Sequence, residues 1–484
     1  MEKEPYRQDE DFFAAEEDGK EHENGENTPK DEGRNPYLLS PKQTEQSAPA
    51  GGIPVRKKKR KAWRYVAAVG LAVLCFIGGG LATWLSLDPQ MRSLIRLKTR
   101  MDMSYYEDVD DDKFYGAIFN AINTSVLDSY SQYMTADEFA ADTAEGEGNR
   151  SGLGLMFHTQ TEDGKEQMLV VRVCGNSPAE EAGFQEGDYV VGFGKAQETM
   201  TDSVSFQAFS AFLETVETGE TLYVKVERSG SIRTVAVHKE QYVENYVFYR
   251  TKTSAYRFTG DTASELSEGG TPLVALPEDT AYIRLLQFNG GAAGQFEKAM
   301  RQFKRDGKSN LVLDLRDNGG GYLDIMQELA SYFCKSSSAK RPVVAVAKYG
   351  DGRKDSFKAS GNSYDEYFSE DSRICVLADV GTASASECLL GCMLDYGTIG
   401  YEDICLSTRA GITRTYGKGI MQTTYPLALV EKDAVRLTTA KIYWPQSNTC
   451  IHDRGILPED GTETVAESYA LDVELNAAIK ALFD

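Results

Sequence analysis

The longest apolar run of the chain lies near its N-terminal end. No residue from Tyr65 to Leu87 is charged. As a helix this run would cover about 34 Å at roughly 1.5 Å per residue, which is enough to cross the hydrocarbon core of a bilayer. Trp63 and Trp84 stand near its two ends, where interfacial aromatic residues are common. The pattern predicts a transmembrane signal anchor over 62–87.

A basic run precedes this apolar segment. Arg56 to Lys61 are all Lys or Arg, and acidic and polar residues dominate before about Glu45. The composition predicts a disordered tail over 1–61. The positive-inside rule places that tail in the cytoplasm and residues 88–484 outside, as in a single-pass protein of a bacterial cell membrane. A cleaved signal peptide fits less well, because the preceding region is too long and the apolar run exceeds a typical h-region.

The hydrophobic periodicity changes twice beyond the anchor. Residues 88–145 are predicted to be mostly helical. Over 146–244, short alternating strands such as the one around Val224 predict a small separate module. Over 245–484, short apolar runs alternate with amphipathic helices, which predicts an α/β core with a mixed sheet. The runs suited to buried strands are Ala281–Leu286, Leu311–Leu315, Val343–Ala347 and Ile374–Ala378.

Composition narrows the classes of function. The formal net charge is -22, which argues against nucleic acid as a partner, because phosphate binding requires clustered Lys and Arg. The chain has only 4 His and no HExxH motif, so we expect no metal and no other cofactor. Apart from Cys75 in the apolar segment, the cysteines are scattered and are interpreted as buried free thiols. An extracytoplasmic location would allow one disulfide, involving Cys405 or Cys450.

Three stretches carry residues suited to catalysis. Residues 311–321 form a predicted strand that ends in glycines, which let the backbone turn sharply and approach a substrate. Residues 381–387 place small residues and Ser384 at a strand-to-helix junction, where helix N–H groups are unpaired. Residues 416–422 hold Lys418 between two glycines. Each stretch has a structural explanation of its own, and Ser384-x-x-Glu387 is also a capping box.

Taken together and in this order, the three stretches resemble the LRxNxGG, SASASE and FGKGxxQ blocks of the C-terminal processing (tail-specific) serine peptidases. The resemblance implies that Ser384 is the nucleophile, with Ser386 as the adjacent alternative. It implies that Lys418 is the general base of a Ser-Lys dyad and that Gln422 orients this lysine. The backbone N–H groups that would meet the oxyanion are those of Ala385 and Gly320.

The module over 146–244 resembles a PDZ domain. Gly152-Leu153-Gly154-Leu155 matches the loop that binds a peptide's terminal carboxylate. Leu153, Gly154, Leu155 and Phe157 are therefore the expected peptide-binding residues. Binding of this kind adds a peptide strand to a sheet edge.

The resemblance implies a protease core over 245–484 of the ClpP/crotonase-like type, with the PDZ domain inserted before it. The implied function is that of a membrane-anchored serine endopeptidase that cleaves proteins near loose apolar C-termini through an acyl-enzyme. The alternative is a catalytically inactive, membrane-tethered PDZ scaffold that binds protein C-termini. A Ser-Lys acyl hydrolase of the penicillin-binding type is disfavoured, because SxxK occurs at 337–340 but SDN and KTG are absent. The sequence leaves open whether the chain forms a homo-oligomer.

This chain departs from the family pattern at several positions. Gly319 replaces a Pro, Thr382 replaces a Ser and Tyr416 replaces a Phe. The interval between Ser384 and Lys418 is also longer than in the family, with the extra residues around 401–415. We expect these extra residues to reshape the substrate channel or to move the lysine.

Overall fold

The computed structural model describes residues 60–162, 165–259, 262–265, 273, 275–335, 340–427, 432–468 and 471–483. Nearly all of the predicted tail over 1–61, and the serines of the SxxK match at 337–340, lie outside these residues. Internal contacts separate the described chain into two units, one ending at Ile118 and the other beginning at Phe119.

The first unit contains the apolar helix. The segment Trp63–Ser86 is long and apolar enough to cross a membrane, which agrees with the predicted anchor in length and composition. A signal sequence would have the same properties. The next helix begins with Pro89 after Asp88, whose carboxylate accepts the Gln90 N–H at 2.7 Å, so a side-chain cap and a favourable first residue start it.

The described residues of both units form the following helices and strands. The helices are α1 (Arg60–Ser86), α2 (Pro89–Ser104), α3 (Asp111–Ser125), α4 (Ala136–Gly146), α5 (Pro178–Ala182), α6 (Phe206–Glu214), α7 (Ala292–Arg305), α8 (Leu323–Phe333), α9 (Tyr364–Tyr367), α10 (Ala385–Asp395) and α11 (Leu471–Phe483). The strands are β1 (Gln132–Met134), β2 (Asn149–Gly152), β3 (Leu155–Glu162), β4 (Lys165–Val173), β5 (Tyr189–Gly194), β6 (Thr221–Arg228), β7 (Ser231–His238), β8 (Glu240–Val243), β9 (Val247–Arg250), β10 (Ala255–Thr259), β11 (Thr262–Glu265), β12 (Thr280–Leu285), β13 (Asn310–Asp314), β14 (Val343–Tyr349), β15 (Lys354–Lys358), β16 (Ile374–Ala378), β17 (Ile404–Ser407), β18 (Ile420–Pro426), β19 (Ala434–Tyr443) and β20 (Glu463–Val465).

A mixed sheet forms the centre of the core. Its strand order is β11-β10-β9-β12-β13-β16-β17-β20. The pairs β12–β13, β13–β16, β16–β17 and β17–β20 are parallel, and β9 is antiparallel to β12. Helices α7, α8 and α10 contribute to the large apolar cluster on one face, and α11 contributes to a smaller cluster on the other. Because both faces are covered, the parallel strands read as continuous apolar runs, as predicted from the sequence.

A second sheet supports the lysine-bearing segment. Strand β19 pairs with β18 along one edge and with β14 and β1 along the other. Within 88–145, which was predicted to be mostly helical, Gln132–Met134 forms the short strand β1. This short strand exists because β19, which lies far along the chain, offers backbone partners to it (Gln132 opposite Arg436). Its local sequence contains too few residues to reveal a strand.

The predicted small module contains an antiparallel sheet in the order β3-β4-β5-β6-β7. Strand β6 alternates between buried and half-buried residues, as the pattern around Val224 predicts. The module has its own apolar cluster, to which Leu153, Val224 and Phe209 belong. Strands β2 and β8 pair at its two ends, with Asn149 opposite Val243. The division of the chain at 145 and 244 and the likeness of the core to ClpP and crotonase stay predictions.

Candidate active site

Two turns meet at the carboxyl edge of the central sheet. Strands β13 and β16 are parallel neighbours, so the turns that follow them lie side by side. The Asn318 carbonyl in the first turn accepts hydrogen bonds from the Ala383 N–H and from the Ser386 hydroxyl, both at 3.0 Å. The glycine-rich turn and the serine-rich turn are thereby fixed to each other. This contact also gives Ser386, which is fully buried, a structural hydrogen bond.

Ser384 has an unusual backbone conformation at the start of α10. Its φ is 55° and its ψ is -113°, in a region that costs a non-glycine residue about 1–3 kcal/mol. The Ser384 hydroxyl makes no capping hydrogen bond to the helix, whereas the Glu387 carboxylate accepts the Ser384 N–H at 3.0 Å. Only half of the predicted capping box is therefore formed. The helix leaves the hydroxyl available for another role.

A small cavity of about 30 Å³ lies beside Ser384. It has room for about one water molecule. Its walls are Gly321, Leu323, Ser384, Ala385, Cys388, Lys418, Ile420, Met421, Gln422 and Ile442. The structure thus brings together Ser384, Ala385, Lys418 and Gln422 from the sequence-predicted site. Gly320 is not in the wall, although its neighbour Gly321 is.

Glu387 connects the serine-bearing and lysine-bearing segments. Besides the Ser384 N–H, its fully buried carboxylate accepts the Thr415 hydroxyl at 2.6 Å, the Gly417 N–H at 2.8 Å and the Lys418 N–H at 2.9 Å. Burial raises the pKa of Glu387 above its usual range, and these hydrogen bonds oppose the rise. An ionised carboxylate only accepts hydrogen bonds and so matches these donors. The position of both candidate catalytic residues depends on this side chain.

Glu387→Gln is expected to lower the free energy of unfolding by about 1–3 kcal/mol, because an amide nitrogen would face N–H groups that need an acceptor. Chemical denaturation of both proteins at one pH would measure the change. Glu366→Gln is the matched control, since Glu366 is exposed and pairs with Lys304 on the surface. Equal stability of the two variants would contradict the role assigned to Glu387.

Lys418 is almost completely buried, with 2% of its surface exposed. Its Nζ lies 5.2 Å from the centre of the Tyr130 ring, within range for a cation–π contact. The Tyr130 hydroxyl lies 3.3 Å from that of Tyr416. Burial, with this hydrogen bond, raises the pKa of Tyr130 far above its usual range, so the phenol stays neutral.

Two other predicted site residues already have hydrogen-bond partners. The Gln422 side-chain amide donates to the Thr438 hydroxyl at 3.1 Å. The Gly320 N–H donates to the Asn318 side-chain carbonyl at 2.9 Å. The first bond fixes the orientation of Gln422 in the cavity wall. The second means that Gly320 can donate to another acceptor only if Asn318 gives up this bond.

Residues 401–415, which were predicted to be extra relative to the family, contribute to the core. Strand β17 within them pairs with β16 and β20. The Arg409 guanidinium forms a buried ion pair with Glu474 of α11, at 2.5 Å. Thr415 contacts Glu387, as described above, and its backbone N–H donates to the Ile456 carbonyl at 3.0 Å. This segment is thus anchored at both ends, and Lys418 after it lies in the wall of the cavity beside Ser384.

Two carboxylates lie close together beneath the serine-rich turn. The Asp379 carboxylate accepts the Asp317 N–H at 3.0 Å and the Gly381 N–H at 2.9 Å. Burial, followed by the negative charge of Asp379, raises the pKa of Asp317 to about 8, and Arg409 opposes this rise. Thr382 belongs to the same turn: its hydroxyl donates to the Leu315 carbonyl at 2.7 Å and accepts the Asp379 N–H at 3.0 Å. The Thr at this position therefore fits without disturbing the turn.

The protein is expected to lose stability as the pH rises from about 4 to about 8. With a folded-state pKa above its unfolded value, Asp317 holds a proton in the folded state that it loses on unfolding, so the stability falls between roughly pH 4 and pH 8. In Asp317→Asn, we expect the fall in the free energy of unfolding over this pH range to be smaller by about 1–2 kcal/mol. This figure allows for partial screening of the Asp317 charge by solvent. Thermal unfolding at several pH values would measure it. The exposed Asp365→Asn should follow the wild-type curve, and an unchanged pH dependence in Asp317→Asn would refute the assignment.

A groove runs along the free edge of the small module. Strand β3 is the edge strand of its sheet, and α6 lies opposite it. The groove has a volume of about 710 Å³, and the predicted peptide-binding residues Leu153, Gly154, Leu155 and Phe157 all line it. Phe157 packs edge-on against Phe209 of α6, with ring centroids 5.7 Å apart. The other end of the groove reaches Tyr322, the residue after Gly321 of the small cavity.

Sequence reasoning missed two residues of this site. Glu387 was assigned only a capping role, and Tyr130 was given no role. The SxxE spacing does signal that Glu387 turns back toward Ser384. The sequence near Glu387 does not predict its hydrogen bonds to Thr415, Gly417 and Lys418. Among the described residues, no group of three or more His, Cys, Asp or Glu side chains could hold a metal ion.

Residues 279–460 are similar to a described protein family. Residues 279–460 match the model of peptidase family S41. A probable CtpA-like serine protease of Staphylococcus saprophyticus is 25% identical over 379 residues, which is 78% of this chain and 66% of the relative. A protein of the same description from Staphylococcus haemolyticus is 24% identical over 84% of this chain and 73% of its own length. The alignments thus span about two thirds of these curated relatives.

A solved structure is also similar to this chain. It is a photosystem II D1 C-terminal processing protease, 23% identical, with a TM-score of 0.44, covering 76% of this chain and 85% of its own. The matched family is a peptidase family, and both relatives are described as probable serine proteases.

Proposed function

Because its segment 279–460 matches the model of peptidase family S41, we propose that this chain is a membrane-anchored serine endopeptidase that cleaves proteins near loose apolar C-termini. The whole activity, its residues and its substrates belong to this proposal. The observation that carries it is the state of Ser384: a strained residue at a helix N-terminus, with a hydroxyl that does not cap the helix, in the wall of a cavity shared with Lys418. Backbone strain of this kind is concentrated at functional sites.

The proposed reaction begins at the serine hydroxyl, which is a weak nucleophile without a base. Neutral Lys418 takes the Ser384 proton as Oγ attacks the scissile carbonyl carbon. The tetrahedral intermediate collapses to an acyl-enzyme, and the lysine ammonium returns the proton to the departing amine. Water, deprotonated by the same lysine, then attacks the acyl carbon. The bond from this carbon to Oγ breaks, the lysine ammonium returns the proton to Oγ, and the new C-terminus is released. Only the neutral amine of Lys418 can act as this base.

Backbone N–H groups would stabilise the oxyanion. Ala385 is the first residue of α10, so its N–H has no partner within the helix and lies at the positive end of the helix dipole. Gly320 is the proposed second donor. The hydrogen bond from the Gly320 N–H to the Asn318 side chain would have to break when substrate binds. Asn318 therefore controls whether this N–H can donate to the oxyanion. Gln422 orients Lys418 in this proposal: its amide nitrogen is held by Thr438, so its oxygen is the atom that can accept from the lysine.

The groove of the small module suits an extended apolar peptide. An edge strand offers unpaired backbone groups to a peptide strand, and the phenylalanine rings opposite offer pockets for alternate side chains. We propose that this PDZ-like module captures the substrate's C-terminal tail before cleavage. Helix α1 would hold the enzyme in a bacterial membrane, with residues 88–484 outside.

The test uses full-length protein in detergent or liposomes and a disordered reporter that ends in an apolar tail. Mass spectrometry of the products would locate the cleaved bonds. We expect cleavage of this reporter and at least tenfold slower cleavage of a reporter whose last residues are Asp and Glu. Binding of both tails would be measured separately by fluorescence anisotropy. Tail binding without cleavage on several reporters would favour the inactive scaffold, and the absence of both would refute the proposal.

A further inference from the structure

Two cysteines lie in contact between the helices that follow the active-site turns. The Cys334 Sγ is 3.3 Å from the Cys392 Sγ, and both side chains are fully buried. Cys334 is the residue that ends α8, and Cys392 lies in the third turn of α10. These helices pack directly against each other. Neither cysteine was singled out in the sequence, where Cys405 and Cys450 were the candidate members of a disulfide.

We propose that Cys334 and Cys392 form a disulfide in the mature protein, which ties α8 to α10. A disulfide needs its sulfur atoms about 2.05 Å apart, so the pair must approach by about 1.3 Å, a distance within reach of side-chain rotation. Disulfides persist in oxidising spaces outside the cytoplasm. The inference therefore rests on the proposed location of residues 88–484.

The bond forms by thiol–disulfide exchange with a disulfide-bearing oxidant, such as an exported thiol oxidase. One cysteine thiolate attacks the oxidant's disulfide and releases one oxidant thiol. The second cysteine thiolate then attacks the mixed disulfide and releases the other. The two cysteines lose two electrons and two protons, and the oxidant's disulfide becomes two thiols.

The timing of the reaction follows from burial. The hydrogen bond with Cys334, together with burial, raises the pKa of Cys392, and thiolate is the reacting form. The folded protein therefore offers little thiolate and no access to an oxidant. The bond forms while the chain folds, before the two helices close over it.

The disulfide would influence the active site through the two helices, without contacting substrate. Helix α8 begins two residues after Gly321, and α10 begins directly after Ser384. A covalent tie between these helices restricts the movement of the two turns relative to each other. Because it closes a long loop of chain, it also lowers the entropy of the unfolded state.

Other cysteines do not match this geometry. Cys375 and Cys405 lie on neighbouring strands, but the cross-strand partner of Cys405 is Leu377. Cys388 lies one turn before Cys392 in the same helix and faces the small cavity. Cys388 therefore provides the matched control for a substitution in α10.

The test traps thiols in membranes that contain the full-length protein, with N-ethylmaleimide in denaturant, before trypsin digestion without reduction. We expect residues 317–335 to be recovered joined to residues 374–409, and to separate on reduction. Four cysteines lie in the second peptide, so variants assign the bond. Cys334→Ala and Cys392→Ala should each abolish the link, and Cys388→Ala should retain it.

A stability measurement accompanies the mapping. We expect a reductant to lower the midpoint of thermal unfolding of the wild type and of Cys388→Ala by roughly 4–8 °C, and to leave Cys334→Ala unchanged. Recovery of Cys334 and Cys392 as alkylated thiols from the membrane protein would overturn the proposal, whatever a refolded sample shows. A link that survives in Cys392→Ala would overturn it equally.

Discussion

Replacing Ser384 with alanine is expected to reduce cleavage of the apolar-tailed reporter by roughly 10⁴-fold or more, because no attacking oxygen remains to form the acyl-enzyme. The residual rate would come from binding and the oxyanion donors alone. Tail binding should be unchanged, because the groove of the small module does not contain Ser384. The measurement is the single-turnover rate with enzyme in excess over reporter. Ser384→Ala also relieves no strain by itself, since alanine is equally disfavoured at a φ of 55°.

Ser386→Ala is the matched control. Its hydroxyl donates to the buried Asn318 carbonyl, so its loss should cost about 1 kcal/mol of stability and leave cleavage within roughly tenfold of wild type. Thermal unfolding would show that both variants are folded. Cleavage that survives in Ser384→Ala and disappears in Ser386→Ala would transfer the nucleophile to Ser386 and reject the assignment.

Replacing Lys418 with methionine is expected to slow cleavage by about 10³-fold, because a neutral, similarly long side chain keeps the packing and removes the base. Lys418→Arg should not restore the rate, since a guanidinium with a pKa above about 12 cannot take a proton at neutral pH. Single-turnover rates of both variants against wild type would measure the effect. Their tail affinity should not change.

Lys354→Met controls for loss of a lysine elsewhere, because Lys354 lies exposed on β15. Rates of the Lys418 variants within tenfold of wild type would exclude this lysine as the base, even if Ser384→Ala were inactive. If Lys418→Met lost all cleavage and also had a lower midpoint of thermal unfolding, the loss of cleavage would not be separable from a loss of folding in that variant. The Lys418→Arg variant would then separate the two effects. Inactive but stable Lys418→Arg would support the dyad.

The sequence predicted the strands of the central sheet well. Ile374–Ala378 coincides with β16, and Leu311–Leu315 is shifted by one residue from β13. These strands are buried on both faces, so their apolar character is local and strong. The short strand β1 was not predicted, because it has no such local apolar pattern. Its three residues form a strand only because β19 lies beside them, and no local pattern records that partner.

The site was predicted in its parts. Ser384, Lys418 and Gln422 were found through motif order, and the structure brings all three to one cavity. The availability of the Ser384 hydroxyl could not be read from the chain, because the same Ser-x-x-Glu spacing predicts a capped helix. The backbone angle of Ser384 decides between the two roles, and it depends on the turn after β16 and on Glu387.

The sequence by itself determined the apolar N-terminal segment, the alternating core and the small module, because each depends on local composition or periodicity. The residues of the candidate dyad were predicted from the resemblance of three motifs to a known family. Tertiary structure alone decided what those residues contact. Glu387 accepts hydrogen bonds from Thr415 to Lys418, roughly thirty positions away, and Cys334 meets Cys392 across two helices. Such contacts arise when parallel strands place their carboxyl ends together and their helices pack on one face, and no single stretch of sequence contains that information.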